Sequence, residues 1–160
     1  MENLLNKESV KRVLKVLNDF DQSIKVETLD TTARTAKDAA ESLKTEIGSI
    51  VKSLLLSRQS SFLLCLVAGD KRCSLNKVKK LLNEKDVSMA NADQVKEITG
   101  FTIGGVSPVG HLNKIDIFID KSLGRFTSIF AAAGHPYSIF KIDFENLCKI
   151  TGGSVKDISE

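Results

Sequence analysis

The 160-residue chain is 42% hydrophobic and 27% charged, which suits one globular domain with its own core and excludes a disordered tail or a minimal disulfide scaffold. Its 23 basic and 20 acidic side chains leave a net charge of +3, too small to demand a nucleic-acid partner and no obstacle to one. The longest apolar run, Phe62 to Ala68, falls far short of the roughly 20 residues that span a bilayer, and MENLLNKESVKR has no signal-peptide core, so a soluble, cytoplasmic protein without membrane contact is expected.

Between Ser9 and Phe20, Val10, Val13, Leu14, Leu17 and Phe20 recur at helical spacing and predict a first helix with one buried face. IKVETL at 24–29 alternates imperfectly, as a strand. Thr35 then opens a second helix, whose stripe of Ala36, Ala39, Ala40 and Leu43 is small enough to demand close packing. SIVKSLLL at 49–56 and SFLLCLVAG at 61–69 read as a hairpin, the second strand apolar on both faces and therefore central. In the first strand Lys52 shares a face with Ile50, Leu54 and Leu56. An ammonium placed there must snorkel, find a partner or serve a ligand.

Ser74 caps a third helix through Leu82, with Leu75, Val78 and Leu82 inward, and Asn91 with Gln94 caps a short fourth that Gly100 ends. IDIFID at 115–120, SIFAAA at 128–133 and YSIFKID at 137–143 are strand-like; Asp143 caps a last helix with Phe144, Leu147 and Cys148 inward and Gly152 at its end. The order α-β-α-β-β-α-α-β-β-β-α has no repeat. It predicts a single α+β domain over 1–160 with a curved, barrel-like mixed sheet surrounded by helices, not a doubly wound array.

Familiar catalytic signatures are missing from the sequence: it has no P-loop or Rossmann turn, no HExxH, no CxxC pair and no GxSxG. Cys65, Cys73 and Cys148 lack metal-ligand spacing and read as reduced thiols, so no metal site is expected. GGVSP at 104–108 sets two glycines before a Ser-Pro step, so its backbone can expose bare N–H groups. Together with Lys52 this suits an anionic or carbonyl-bearing ligand. From Lys71 to Lys85, six basic residues (Lys71, Arg72, Lys77, Lys79, Lys80, Lys85) face one acid, Glu84, which fits either tRNA phosphates or a solvated helix face.

In this order, RTAKDAAESL at 34–43, EIGSIVKSLLL at 46–56, LCLVAGDKR at 64–72, TGFTIGGVSPVGH at 99–111, AAAGHP at 131–136 and LCKITGGSVKDI at 147–158 resemble the YbaK/prolyl-tRNA editing family over residues 9 to 158. The resemblance implies a deacylase that hydrolyses the ester between a wrongly attached amino acid and the terminal adenosine of tRNA, chiefly tRNA for proline, with neither metal nor organic cofactor. It implies mischarged tRNA as substrate and prolyl-tRNA synthetase as the enzyme served in trans, since the synthetase's catalytic and anticodon domains have no counterpart here. The family's strand lysine falls on Lys52, its GxxxP loop on Gly104 to Pro108 and its late glycine on Gly134, with His135 beside it. The catalytic set expected is thus Lys52, Gly104 and Gly105, with Thr35, Ser107, Pro108, Gly134 and His135 binding substrate and Lys71, Arg72, Lys77 and Lys80 binding tRNA. Two other functions stay open: a non-catalytic module that binds tRNA or a synthetase, and hydrolysis of another small ester or amide.

Overall fold

The computed structural model describes residues 3–160. Helix α1 (Glu8–Phe20) buries Val10, Val13 and Leu17, as its spacing requires. Strand β1 (Val26–Thr28) is the short core of the imperfect alternation. Helix α2 (Ala36–Leu43) starts where Thr35 Oγ1 accepts the Asp38 N–H at 3.1 Å, and it packs through Ala39 and Ala40. Strands β2 (Val51–Arg58) and β3 (Ser61–Ala68) pair antiparallel from Val51–Ala68 to Arg58–Ser61, so the turn is shorter than expected, only Gln59 and Ser60.

Helix α3 (Leu75–Leu82) is capped by Ser74, and α4 (Ala92–Thr99) by a reciprocal Asn91–Gln94 box with Gly100 at its end. Between them lies β4 (Val87–Met89), and after α4 come β5 (Asp116–Asp120), β6 (Ile129–Ala132) and β7 (Ser138–Ile142). Asp143 caps α5 (Phe144–Thr151), which Gly152 closes before β8 (Ser154–Lys156). Strands β4 and β8 have no counterpart in the sequence reading, because three residues are too few to show a period.

The strands form two sheets. One is mixed and five-stranded in the order β4-β2-β3-β5-β8, with β3 central; the other is antiparallel in the order β1-β7-β6. A single parallel bridge, Ile50 to Phe130, joins them, and among the described residues no ladder closes them into a barrel. The reason lies on the outer edge of β2. The edge meets β6 only at that bridge and is next taken where Ala90 N–H bonds the Leu55 carbonyl at 3.0 Å, ahead of the β4 ladder. Over residues 52–54 no strand among the described residues lies beside it. Because peptide groups alternate sides along a strand, Ser53 presents its N–H and C=O to this gap, as Leu55 does to Ala90.

The main core, including Leu17, Leu55, Leu66, Phe101 and Phe140, fills one face of the five-stranded sheet. A second cluster of Leu56, Leu63, Cys65, Val67 and Val78 fills the other under α3, which is why β3 is apolar on both faces. Ala39, Ala40 and Ile50 pack separately beneath α2. Among the described residues no helix is long and apolar enough to cross a membrane.

Candidate active site

The gap beside β2 opens into a cavity of about 350 Å³. Ala36 and Ala39 of α2, Val51 to Leu55 of β2, Met89 and Ala90, Ile103 to Val106 with Gly105 excepted, and Phe130 to Ala132 form its wall. The small stripe of α2 is thus what lets the helix approach β2 while leaving room between them.

Of the residues expected from sequence, Thr35, Lys52 and Gly104 meet at this cavity. The Thr35 hydroxyl is engaged as the α2 cap. Lys52 is half-buried, and its ammonium donates to the Lys71 carbonyl in the turn after β3. Burial pushes the Lys52 pKa down, and the nearby Asp70 carboxylate opposes that in part. Gly104 sits at φ +95°, and a Cβ there would come within 2.8 Å of Arg34 Cγ. Its N–H makes no hydrogen bond among the described residues.

Gly105 departs from its expected role. Its N–H donates to the Thr102 carbonyl at 2.9 Å, so it is not an open donor for substrate. A Cβ at Gly105 would lie 2.9 Å from His135 Cα, so the glycine lets the loop pack on the 134–135 turn. Ser107 is fully buried and its Oγ accepts the Val109 N–H at 3.1 Å. Pro108 lines a separate hollow of about 270 Å³ with His111 and Lys114. Gly134, also at φ +95°, would drive a Cβ to 2.7 Å from the Ser9 carbonyl oxygen. His135 Nδ1 accepts the Tyr137 N–H at 3.1 Å, and its carbonyl accepts from the Ser138 N–H at 3.0 Å and hydroxyl at 3.1 Å. These five residues shape the loops behind the cavity and do not line it.

Loop 100–110 is fixed from α1. Arg12 donates from Nε to the Gly110 carbonyl at 3.1 Å and from Nη2 to the Gly100 carbonyl at 2.8 Å, its guanidinium 4.9 Å from the Phe101 ring centroid. His111 Nε2 pairs with the Ser107 carbonyl at 2.7 Å, and burial pushes its pKa below the ordinary value.

Within the basic segment, Lys77 is engaged internally, reaching Asp157 at 3.0 Å and the Ser159 carbonyl at 2.6 Å, so it ties α3 to the C-terminal segment. Lys71 is half-buried; Arg72 and Lys80 are exposed, with no side-chain partner among the described residues. Two cavity residues escaped the sequence reading. Arg34 stands at the mouth, and Ser53 carries the one buried side-chain polar atom left without a partner among the described residues. The signal for Ser53 was present, a hydroxyl in an apolar strand on the face of Val51 and Leu55. Arg34 immediately precedes the cap residue of α2. Among the described residues no cluster of three or more His, Cys, Asp or Glu is placed to hold a metal ion.

Residues 30–150 match the model of the aminoacyl-tRNA editing domain. The chain belongs to this family. A solved structure described as a candidate trans-editing enzyme for prolyl-tRNA synthetase superposes with a TM-score of 0.90 and 35% identity, covering 96% of this chain and 98% of that one. The proline–tRNA ligase of Thermosipho africanus is 34% identical over 101 residues, 63% of this chain and 18% of the ligase. EbsC of Enterococcus faecalis, named as a candidate Cys-tRNA(Pro)/Cys-tRNA(Cys) deacylase, is 25% identical over 125 residues, 78% of this chain and 76% of that one. As a member of the aminoacyl-tRNA editing family, the chain is an aminoacyl-tRNA deacylase, an ester hydrolase.

Proposed function

We propose that this editing-domain protein is a single unit over 1–160 that acts in the cytoplasm, in trans to prolyl-tRNA synthetase, and clears tRNA for proline of a small non-cognate amino acid of the cysteine, alanine, serine or threonine type. The observation that carries the reading is the cavity beside β2, walled by alanines and aliphatic side chains, where among the described residues the Gly104 N–H is unclaimed and no strand takes the edge at Ser53. An aminoacyl ester is already activated, so positioning it and stabilising the developing oxyanion supplies much of the catalysis. The Gly104 N–H donates to that oxyanion. The open Ser53 peptide edge holds the amino acid's own backbone groups, and its side chain lies against Ala36 and Ala39. Lys52, with one of its three N–H donors held by the Lys71 carbonyl, adds positive charge beside the ester, and water is the attacking group. Arg72 and Lys80 contact the body of the tRNA.

The test is a set of tRNAs for proline charged separately with cysteine, alanine, serine, threonine and proline, with release rates compared. Release of a small non-cognate residue at least about tenfold faster than proline is expected, more than one missing or added methylene alone provides at the low end of its range. Binding without turnover would make the chain a recognition module, and turnover of free esters alone would make it a different hydrolase.

A further inference from the structure

We propose that Arg34 grips the terminal phosphodiester of the tRNA, the one joined to the 5′ oxygen of the adenosine whose ribose carries the aminoacyl ester. The inference rests on reading the cavity as the site for that ester. Among the described residues, those lining the cavity include two cations, Arg34 and Lys52, and no acid. Lys52 directs its ammonium to the Lys71 carbonyl. Arg34 holds its main chain in place, with its N–H donating to Thr32 Oγ1 at 3.1 Å, and its stem lies so close to Gly104 that a Cβ there would come within 2.8 Å of Cγ. Its guanidinium, by contrast, has no partner among the described residues.

Other arginines show what the fold does with a guanidinium it needs for itself. Arg12 binds two carbonyls, Arg58 pairs with Glu84, and Arg125 binds both oxygens of Asp70 at 3.0 and 2.7 Å. Arg72 is also without a side-chain partner among the described residues, but it lies outside the cavity wall. An exposed arginine whose stem lies against Gly104 and whose planar head is open, on a cavity lined by no acid among the described residues, is the arrangement that takes a phosphate through two parallel N–H donors.

The position also matches the substrate. An ester seated at Gly104 has its nucleotide's phosphate one ribose ring away, and Arg34 is the residue packed on Gly104. Ile103 and Met89, 58% and 51% exposed on the same rim, offer the apolar surface on which the last base can lie. Neither side chain has a role in the core clusters that would account for it.

Two minimal substrates isolate the phosphate: an aminoacyl adenosine and the same ester carrying a 5′-monophosphate, each with the amino acid that is released fastest from tRNA. The parent protein should favour the phosphorylated ester by about tenfold in kcat/KM, the scale of one hydrogen-bonded charge contact. Arg34→Ala should bring the two esters to within about twofold, and Arg34→Lys should restore part of the preference, since a point charge replaces the fork. Thermal melts check that both variants stay folded. A preference that survives Arg34→Ala, or a parent protein with none, overturns the phosphate assignment while leaving the deacylase reading intact. A parent protein that hydrolyses neither these esters nor charged tRNA overturns that reading, and this inference falls with it.

Discussion

Lys52 is pulled two ways by its position on β2. Its ammonium loses water to burial, and it regains one hydrogen bond to the Lys71 carbonyl and some attraction from Asp70. Replacing it with methionine removes that bond, a loss of about 1 kcal/mol, but also removes the cost of holding a half-buried charge. The two effects oppose each other, so the urea midpoint of Lys52→Met should correspond to a stability within about 1 kcal/mol of the parent. Single-turnover deacylation of mischarged tRNA should fall at least about tenfold, the rate value of roughly 1.4 kcal/mol of lost transition-state stabilisation. A variant that deacylates at the parent rate would remove Lys52 from the site. Alternation along SIVKSLLL was enough to place Lys52 on the face of Leu54 and Leu56. Its partner could not be read there, because Lys71 is 19 residues away and reaches it only through the hairpin. Gly105 teaches the same lesson: the doubled glycine was visible, but its reason, the approach of the His135 backbone, is tertiary.

At the scale of elements, what the sequence declares is local. Thr35, Ser74, Asn91 and Asp143 all cap the helices they precede, because each bond closes within three residues. The division into two sheets was not legible, since it depends on which strand reaches the edge of β2 at Ile50 and which at Leu55. Nor was the clamp that joins α1 to loop 100–110, where Arg12 answers two carbonyls ten residues apart. Bonds from a charged donor contribute roughly 1.5 to 3 kcal/mol each, and both acceptors are left without that donor when the arginine is removed. Arg12→Met should therefore lower global stability by about 3 to 6 kcal/mol. The more telling readout is local. The Gly105 amide, bonded to Thr102 in this loop, should exchange with deuterium faster than the amides of β3 once the fall in global stability is subtracted. Equal acceleration throughout would mean that Arg12 holds the fold as a whole and not this loop.

For the whole molecule, the loop that carries Gly104 also carries a response to pH. His111 is half-buried between the Ser107 carbonyl and the Phe101 ring, near the positive Arg12, and its pKa is held below the ordinary 6.5, chiefly by the burial it has. Above that ordinary value, folded and unfolded chains are both neutral at this site, and the full stability is present. As pH falls below it, the unfolded chain takes up a proton that the native state refuses, so stability declines until the native imidazole itself protonates. The decline is limited to one proton, about 1.4 kcal/mol per pH unit. Urea midpoints should consequently hold steady above about pH 7 and fall from there towards about pH 5, before the carboxylates held low by their partners, such as Asp70 and Asp157, begin to protonate. His111→Gln keeps a side chain able to donate to the Ser107 carbonyl and cannot titrate, so its midpoint should be flatter across that window. If His111→Gln declines as steeply as the parent, the proton is taken up elsewhere and the His111 imidazole is not what couples this loop to pH.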